Sequence, residues 1–133
     1  MILRKVKNSM LNILMVGIGG FIGSITRYGI SKAFPTALFP FATLISNVCA
    51  GFLIGLYIGL ERELDWQGEK SKLFVTTGMM GGLSTFSTFS LETVKLLENG
   101  NYSQAGWNVI LNVTLSLISV MVAFVIVKAI FKK

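Results

Sequence analysis

A chain of 133 residues that is 53 % hydrophobic and 14 % charged, with mean hydropathy +0.70, departs from the soluble pattern. A soluble domain carries about a quarter charged residues. With no histidine and a single Cys49, the chain has no side-chain set for a transition metal and no intrachain disulfide. The net charge of +6 comes from basic residues in the short flanks of apolar runs, which suits anionic lipid headgroups rather than nucleic acid. The charges cluster between long apolar runs, so residues 1–133 read as one all-α integral membrane domain. It has room for four transmembrane helices, at about 11–30, 41–60, 73–97 and 104–129, with both termini on one side.

A basic leader with Arg4, Lys5 and Lys7 precedes the first span. No small-residue cleavage site closes that span, so it reads as a helix that stays in the membrane rather than a signal peptide. Gly17, Gly19, Gly20 and Gly23 imitate part of a dinucleotide fingerprint, but no strand precedes them. Gly19 and Gly23, four residues apart, predict a close helix-packing face, and Arg27 continues that row. Arg27 has two readings, a snorkelling interface anchor or a cation that draws anions towards a pore mouth.

The loop with Pro35 and Pro40 leads to the second span, where Thr43, Asn47, Gly51, Gly55 and Gly59 recur every four residues on one ridge. The glycines predict close approach of another backbone. Asn47 shares their face and points into protein, as an interhelical hydrogen-bonding group or as a pore-lining donor. The charged stretch 61–72 predicts a solvated turn with Trp66 at the headgroup level, and Cys49 reads as a small packing residue.

The third span contains Thr77–Thr93, reading TGMMGGLSTFSTFSLET. Glycine costs about 1 kcal/mol against alanine inside a helix, and serine and threonine offer the backbone competing hydrogen bonds. The stretch Gly81-Gly82-Leu83-Ser84 therefore predicts a break in a membrane helix, where freed carbonyls commonly line an ion or substrate site. A glycine-softened packing interface is the other reading. Phe86 and Phe89 are three apart, as core aromatics or as rings whose positive edges meet an anion. Glu92 and Lys95 are spaced for an ion pair or for snorkelling.

After a polar turn at 99–103, the fourth span carries Asn108, Asn112, Ser116 and Ser119 as a polar stripe. The membrane part thus offers hydroxyl and amide donors (Thr43, Asn47, the hydroxyls Ser84, Thr85, Ser87, Thr88 and Ser90, Asn112, Ser116) without a carboxylate pair or a Ser-His-Asp set. That inventory suits passage of a strongly hydrated anion and gives no actors for enzyme catalysis.

The run GMMGGLSTFSTFSLET, with Asn47 in TLISNVCAGFLIG and Arg27 in GSITRYG, resembles the Fluc (CrcB-like) fluoride channel family over nearly the whole chain. The resemblance implies a fluoride-selective, non-enzymatic channel of the cell membrane. Its unit is an antiparallel dimer with two pores and four spans per subunit, the third of them broken. It further implies that Phe86 and Phe89 line the pore edge-on, and that Asn47 is the pore donor with Thr43 a turn before it. Of the donor inventory, Ser87, Thr88 and Ser116 are expected to line the pore beside them, and the resemblance places Arg27 at a vestibule. The Gly81 and Ser84 carbonyls of both subunits would hold one structural sodium ion (Na+). Asn108 and Asn112 stand where relatives often have tyrosine and serine, and the resemblance assigns them no role.

By the positive-inside rule, nine basic residues on the terminus side against three opposite predict cytoplasmic termini. The family pattern instead favours insertion in both orientations, so the dimer is either a homodimer or a heterodimer with an oppositely oriented paralogue. Two other classes fit four apolar spans, a small four-helix exporter and a non-conducting membrane assembly protein. The first needs an embedded acid that residues 11–30 lack, and the second leaves the donors and phenylalanines without a role.

Overall fold

A computed structural model describes residues 2–35, 39–66 and 68–131; Lys132 and Lys133, two of the nine basic residues counted above, lie outside these. The described residues form helices and connecting turns in the order α1 (Ile2–Ala33), α2 (Phe41–Glu63), α3 (Glu69–Lys72), a π-helical stretch (Leu73–Met80), α4 (Gly81–Leu83), α5 (Phe86–Glu98) and α6 (Tyr102–Phe131). Three of them contain segments long and apolar enough to cross a membrane, Val6–Ala33, Phe41–Glu63 and Tyr102–Phe131. The chain is thus a multi-pass membrane protein. At 1.5 Å per residue the 32 residues of α1 reach about 48 Å, well beyond a hydrocarbon layer of about 30 Å. Its first turns therefore project past the bilayer core, and the helix begins nine residues earlier than expected.

The ends of the helices follow local chemistry. α1 stops two residues before Pro35, and α2 starts directly after Pro40, whose ring removes an N–H that a helix start leaves unpaired anyway. α2 carries on through Glu63 and α3 opens at Glu69, an acid in the first turn where the helix dipole favours it. The turn expected over 61–72 is accordingly short, and Lys72 pairs with Glu61 across it at 2.9 Å. α5 closes with Gly100 at φ 74°, the Gly100 N–H on the Leu97 carbonyl and the Asn101 N–H on the Leu96 carbonyl. This pair of bonds satisfies the last orphan carbonyls, and its left-handed residue is cheapest as glycine.

Two glycine rows set the packing, as their spacing predicts. α1 lies along the π-helical stretch and α4. A Cβ on Gly19 would strike the Phe74 carbonyl oxygen, one on Gly23 the Met79 carbonyl oxygen, and one on Gly82 the Gly20 oxygen at 2.5 Å. α2 lies along α6, with Gly51 against Ser119, Gly55 against Ala123 and Gly59 against Val127. Backbones in contact recover the dispersion that apolar lipid would otherwise supply.

The interior mixes apolar residues with buried polar ones, and many large apolar side chains face outward. Ser46 and Asn108 are fully buried, whereas Phe21 is 67 % exposed and Met121 64 %. One expectation needs correction, and one of two alternatives drops out. Cys49 is exposed rather than packed, because the α2 face that meets α6 is the glycine ridge. Among the described residues Glu92 forms no ion pair with Lys95; its Oε1 accepts the Thr43 hydroxyl at 2.8 Å instead.

Candidate functional site

Helical dihedrals continue through Gly81–Leu83 and end at Ser84 (φ −76°, ψ 152°) and Thr85 (φ −152°, ψ 117°). Three of the four residues expected to interrupt the helix therefore stay helical, and the extended pair begins at the fourth. Gly82 is held in place by its contact with α1. Thr85 leaves the helix because its N–H donates to Asn47 Oδ1 at 2.8 Å, across from α2.

That capture redirects the main chain. In a continuous helix the Thr85 N–H would reach the Gly81 carbonyl and the Thr88 N–H the Ser84 carbonyl. Here the Thr88 N–H donates to Thr85 Oγ1 at 3.2 Å, an N-cap that starts α5. Gly81 and Ser84 thus both lose their helical donors. The carbonyl between them, of Gly82, accepts Arg27 Nε at 3.0 Å. Arg27 follows Gly19 and Gly23 along the packed face of α1, which carries its guanidinium onto the interruption.

Asn47 is the hub. Its Nδ2 donates to Asn112 Oδ1 at 2.9 Å and, more weakly, to the Thr85 carbonyl at 3.4 Å. Asn112 Nδ2 donates to both the Oδ1 (2.8 Å) and the main-chain carbonyl (3.0 Å) of Asn108. Asn108 Nδ2 then donates to Thr93 Oγ1 at 2.9 Å. Sequence reading found Asn108 and Asn112 as part of a stripe but missed Thr93. Thr93 sits among charged and apolar residues of α5 with no local sign that it faces α6.

Two cavities meet at Thr85, which lines both. One, of about 520 Å³, includes Gly81, Ser84, Asn47, Asn112, Ser116, Phe86 and Phe89 in its wall. The other, of about 340 Å³, is walled by Arg27, Thr43, Ser46, Thr85, Thr88 and Glu92 among others. The expected site residues are thus brought to two adjoining spaces. Ser87 lines neither; it is exposed, with its hydroxyl 3.3 Å from Thr85 Oγ1. Phe86 and Phe89 have ring centroids 5.5 Å apart with planes tilted by 57°. They differ sharply in burial, Phe86 at 79 % exposure and Phe89 at 8 %.

Chemically, the first cavity presents neutral donors, two aromatic rings and no carboxylate. Ser116 Oγ in its wall is buried and has no partner among the described residues. The second cavity sets the cationic Arg27 and the carboxylate of Glu92 on one space, and Glu92 Oε2 is likewise buried and unpartnered. Sequence reading did not connect Glu92 with Thr43. The signal that could have found it is the hydroxyl ridge of α2, which needs an acceptor opposite Thr43.

The family model described as CrcB-like protein, Camphor Resistance (CrcB), matches residues 14–124. A protein of Serratia proteamaculans described as fluoride-specific ion channel FluC is 45 % identical over 87 % of this chain and 93 % of its own length. Proteins with the same description from Ruminiclostridium cellulolyticum and Pyrococcus abyssi are 43 % and 40 % identical. They are matched over 91 % and 86 % of this chain, and over 95 % and 94 % of their own lengths.

Proposed function

This chain belongs to the CrcB-like family, and from that premise we propose that it conducts fluoride selectively out of the cytoplasm across the cell membrane. One observation carries the reading. The Asn47 amide, hydroxyl groups and two phenylalanine rings converge on a cavity without fixed negative charge. Fluoride is small and strongly hydrated, so it crosses only where donors replace its water without a fixed charge to trap it. The Asn47 Nδ2 hydrogen that is only weakly held by the Thr85 carbonyl and the orphan Ser116 hydroxyl are such donors, and the rings offer positive edges while their bodies exclude water.

In this reading the two helical pieces on either side of Ser84–Thr85 act as one broken membrane-crossing helix. Phe86 is uncovered on the single chain because a second, inverted subunit completes the pore around it. That subunit is another copy of this chain or an oppositely oriented relative, and the pair encloses two pores.

The family's structural sodium fits the backbone at the interruption. The Gly81 and Ser84 carbonyls lose their helical donors to Asn47 and Thr85, leaving hard oxygen ligands of the kind an alkali cation takes. No three His, Cys, Asp or Glu side chains converge among the described residues, so main-chain oxygens are the ligands on offer. Bound there, the ion supplies fixed positive charge that ties two subunits together. Exchange of sodium for N-methylglucamine should lower the thermal midpoint of the purified dimer. An unchanged midpoint, or a chain that elutes only as a monomer, argues against this assembly.

The decisive measurement is fluoride efflux from liposomes holding the purified chain. Wild type should empty the vesicles, and Phe86→Ile should slow efflux at least about tenfold with the dimer intact, since a missing donor or ring edge costs on the order of one hydrogen bond. No efflux from wild type would sink the channel reading. Unchanged efflux in Phe86→Ile would return that ring to ordinary packing.

A further inference from the structure

We infer that Asn112, Asn108 and Thr93 are positioning residues that fix the amide of Asn47 and, through it, the bend at Thr85. The inference deepens the channel reading and rests on it for its flux readout. The chain of bonds is directional at both ends. It starts at the Phe89 main-chain carbonyl, which only accepts, so the Thr93 hydroxyl donates to it at 2.8 Å. Thr93 Oγ1 is then an acceptor, and it takes Asn108 Nδ2 at 2.9 Å. That leaves Asn108 Oδ1 to accept Asn112 Nδ2 at 2.8 Å, and Asn112 Oδ1 to accept Asn47 Nδ2 at 2.9 Å. Asn47 Oδ1 is left for the Thr85 N–H at 2.8 Å, a main-chain donor that cannot be reversed.

Amide orientation is ordinarily ambiguous because oxygen and nitrogen are nearly alike in shape. Here a main-chain acceptor at one end and a main-chain donor at the other allow one orientation of all three asparagines. A flip of any of them sets donor against donor or acceptor against acceptor inside a buried network, where such clashes are most costly. Asn108 is fully buried and Asn112 is 5 % exposed, so water does not relieve the mismatch.

Asn47 therefore keeps one Nδ2 hydrogen committed to Asn112. The other is spent only on the 3.4 Å contact with the Thr85 carbonyl, the weakest link in the set. That hydrogen is the one an anion takes over, and the ladder aims it. Asn108 and Thr93 line neither of the two cavities described above, so they act through Asn47 rather than on the ion.

The test uses Thr93→Val, which removes the hydroxyl at nearly constant shape, Thr93→Ser, which keeps it, and Asn108→Leu. In liposomes, Thr93→Val and Asn108→Leu should each slow fluoride efflux about tenfold, and Thr93→Ser less than about twofold, since one hydrogen bond separates the first pair from the last. Because all act through one chain, the double variant Thr93→Val with Asn108→Leu should be no slower than the slower single variant. Wild-type rates in folded Thr93→Val, equal slowing in Thr93→Ser, or multiplied slowing in the double variant would each overturn the assignment. If the wild-type chain passes no fluoride, the channel reading fails by itself, and the ladder is decided by the Asn47 side-chain amide resonances in detergent. Displacement of those resonances by Thr93→Val but not by Thr93→Ser supports it, and resonances unmoved by Thr93→Val overturn it.

Discussion

Asn47→Asp is expected to cut fluoride efflux from liposomes by about a thousandfold while the protein stays folded. The substitution keeps the shape and the oxygen that receives the Thr85 N–H, so the bend at Ser84–Thr85 survives, although the new oxygen facing the acceptor Asn112 Oδ1 lowers the thermal midpoint. What changes is the atom that faces Asn112 Oδ1 at 2.9 Å and the Thr85 carbonyl at 3.4 Å. There a donor nitrogen becomes a carboxylate oxygen, so the anion loses its donor and meets a like charge. Two unit charges 4 Å apart repel by about 4 kcal/mol at an effective dielectric constant near 20. At about 1.4 kcal/mol per factor of ten, that is roughly three orders of magnitude. Size-exclusion elution as for wild type, with the loss of flux, is the expected pair of results. Wild-type efflux from a variant shown to be ionised would remove Asn47 from the path.

The reason Asn47 could be singled out beforehand, while its bond to the Thr85 amide could not, is physical. A helix period places Thr43, Asn47, Gly51, Gly55 and Gly59 on one ridge, and glycine rows at that spacing have one strong use in lipid. Close backbone packing at that ridge and at Gly19 and Gly23 was therefore legible, but not that α6 and the third segment are the partners. The place where the helix yields was only partly so. Glycine tolerates a break but also tolerates close packing, and at Gly82 the second use holds the backbone helical against Gly20 and Ser24. The extended residues are Ser84 and Thr85 because a side chain 38 positions away captures the Thr85 amide. No local pattern reports a contact at that range.

Similarly, a three-residue spacing puts Phe86 and Phe89 near one another but does not fix their depth. Packing within the chain covers Phe89 and leaves Phe86 open. The π-helical stretch Leu73–Met80 was not legible either, since LFVTTGMM has no residue that favours a wider turn over an α-turn. It lies against the Gly19–Gly23 face of α1, where the Phe74 and Met79 carbonyls meet α1 at its glycines.

Gly23→Val is expected to leave no stably folded protein, and Gly23→Ala to cost about 3 kcal/mol or more, at the upper end of overpacking penalties. A Cβ at Gly23 meets the Met79 carbonyl oxygen, the Leu83 nitrogen at 2.8 Å and the Met79 carbonyl carbon at 2.9 Å. All three are main-chain atoms of the segment just before the bend, so no rotamer change relieves the clash. Gly17 and Gly29 on the same helix have nothing within 4 Å of an added Cβ. Alanine at either should be neutral or stabilising by about 0.5–1 kcal/mol, because it only removes the entropic cost of a helical glycine. Thermal midpoints of the four variants in detergent, followed by monodispersity, measure the contrast. Equal midpoints for Gly23→Ala and Gly17→Ala would mean that α1 and the third segment do not touch backbone to backbone. The effect should reach the site as well. Arg27 lies one turn beyond Gly23, and its Nε reaches the Gly82 carbonyl only while α1 stays at glycine distance. Efflux in Gly23→Ala should therefore fall along with stability, and in Gly17→Ala neither should change for the worse.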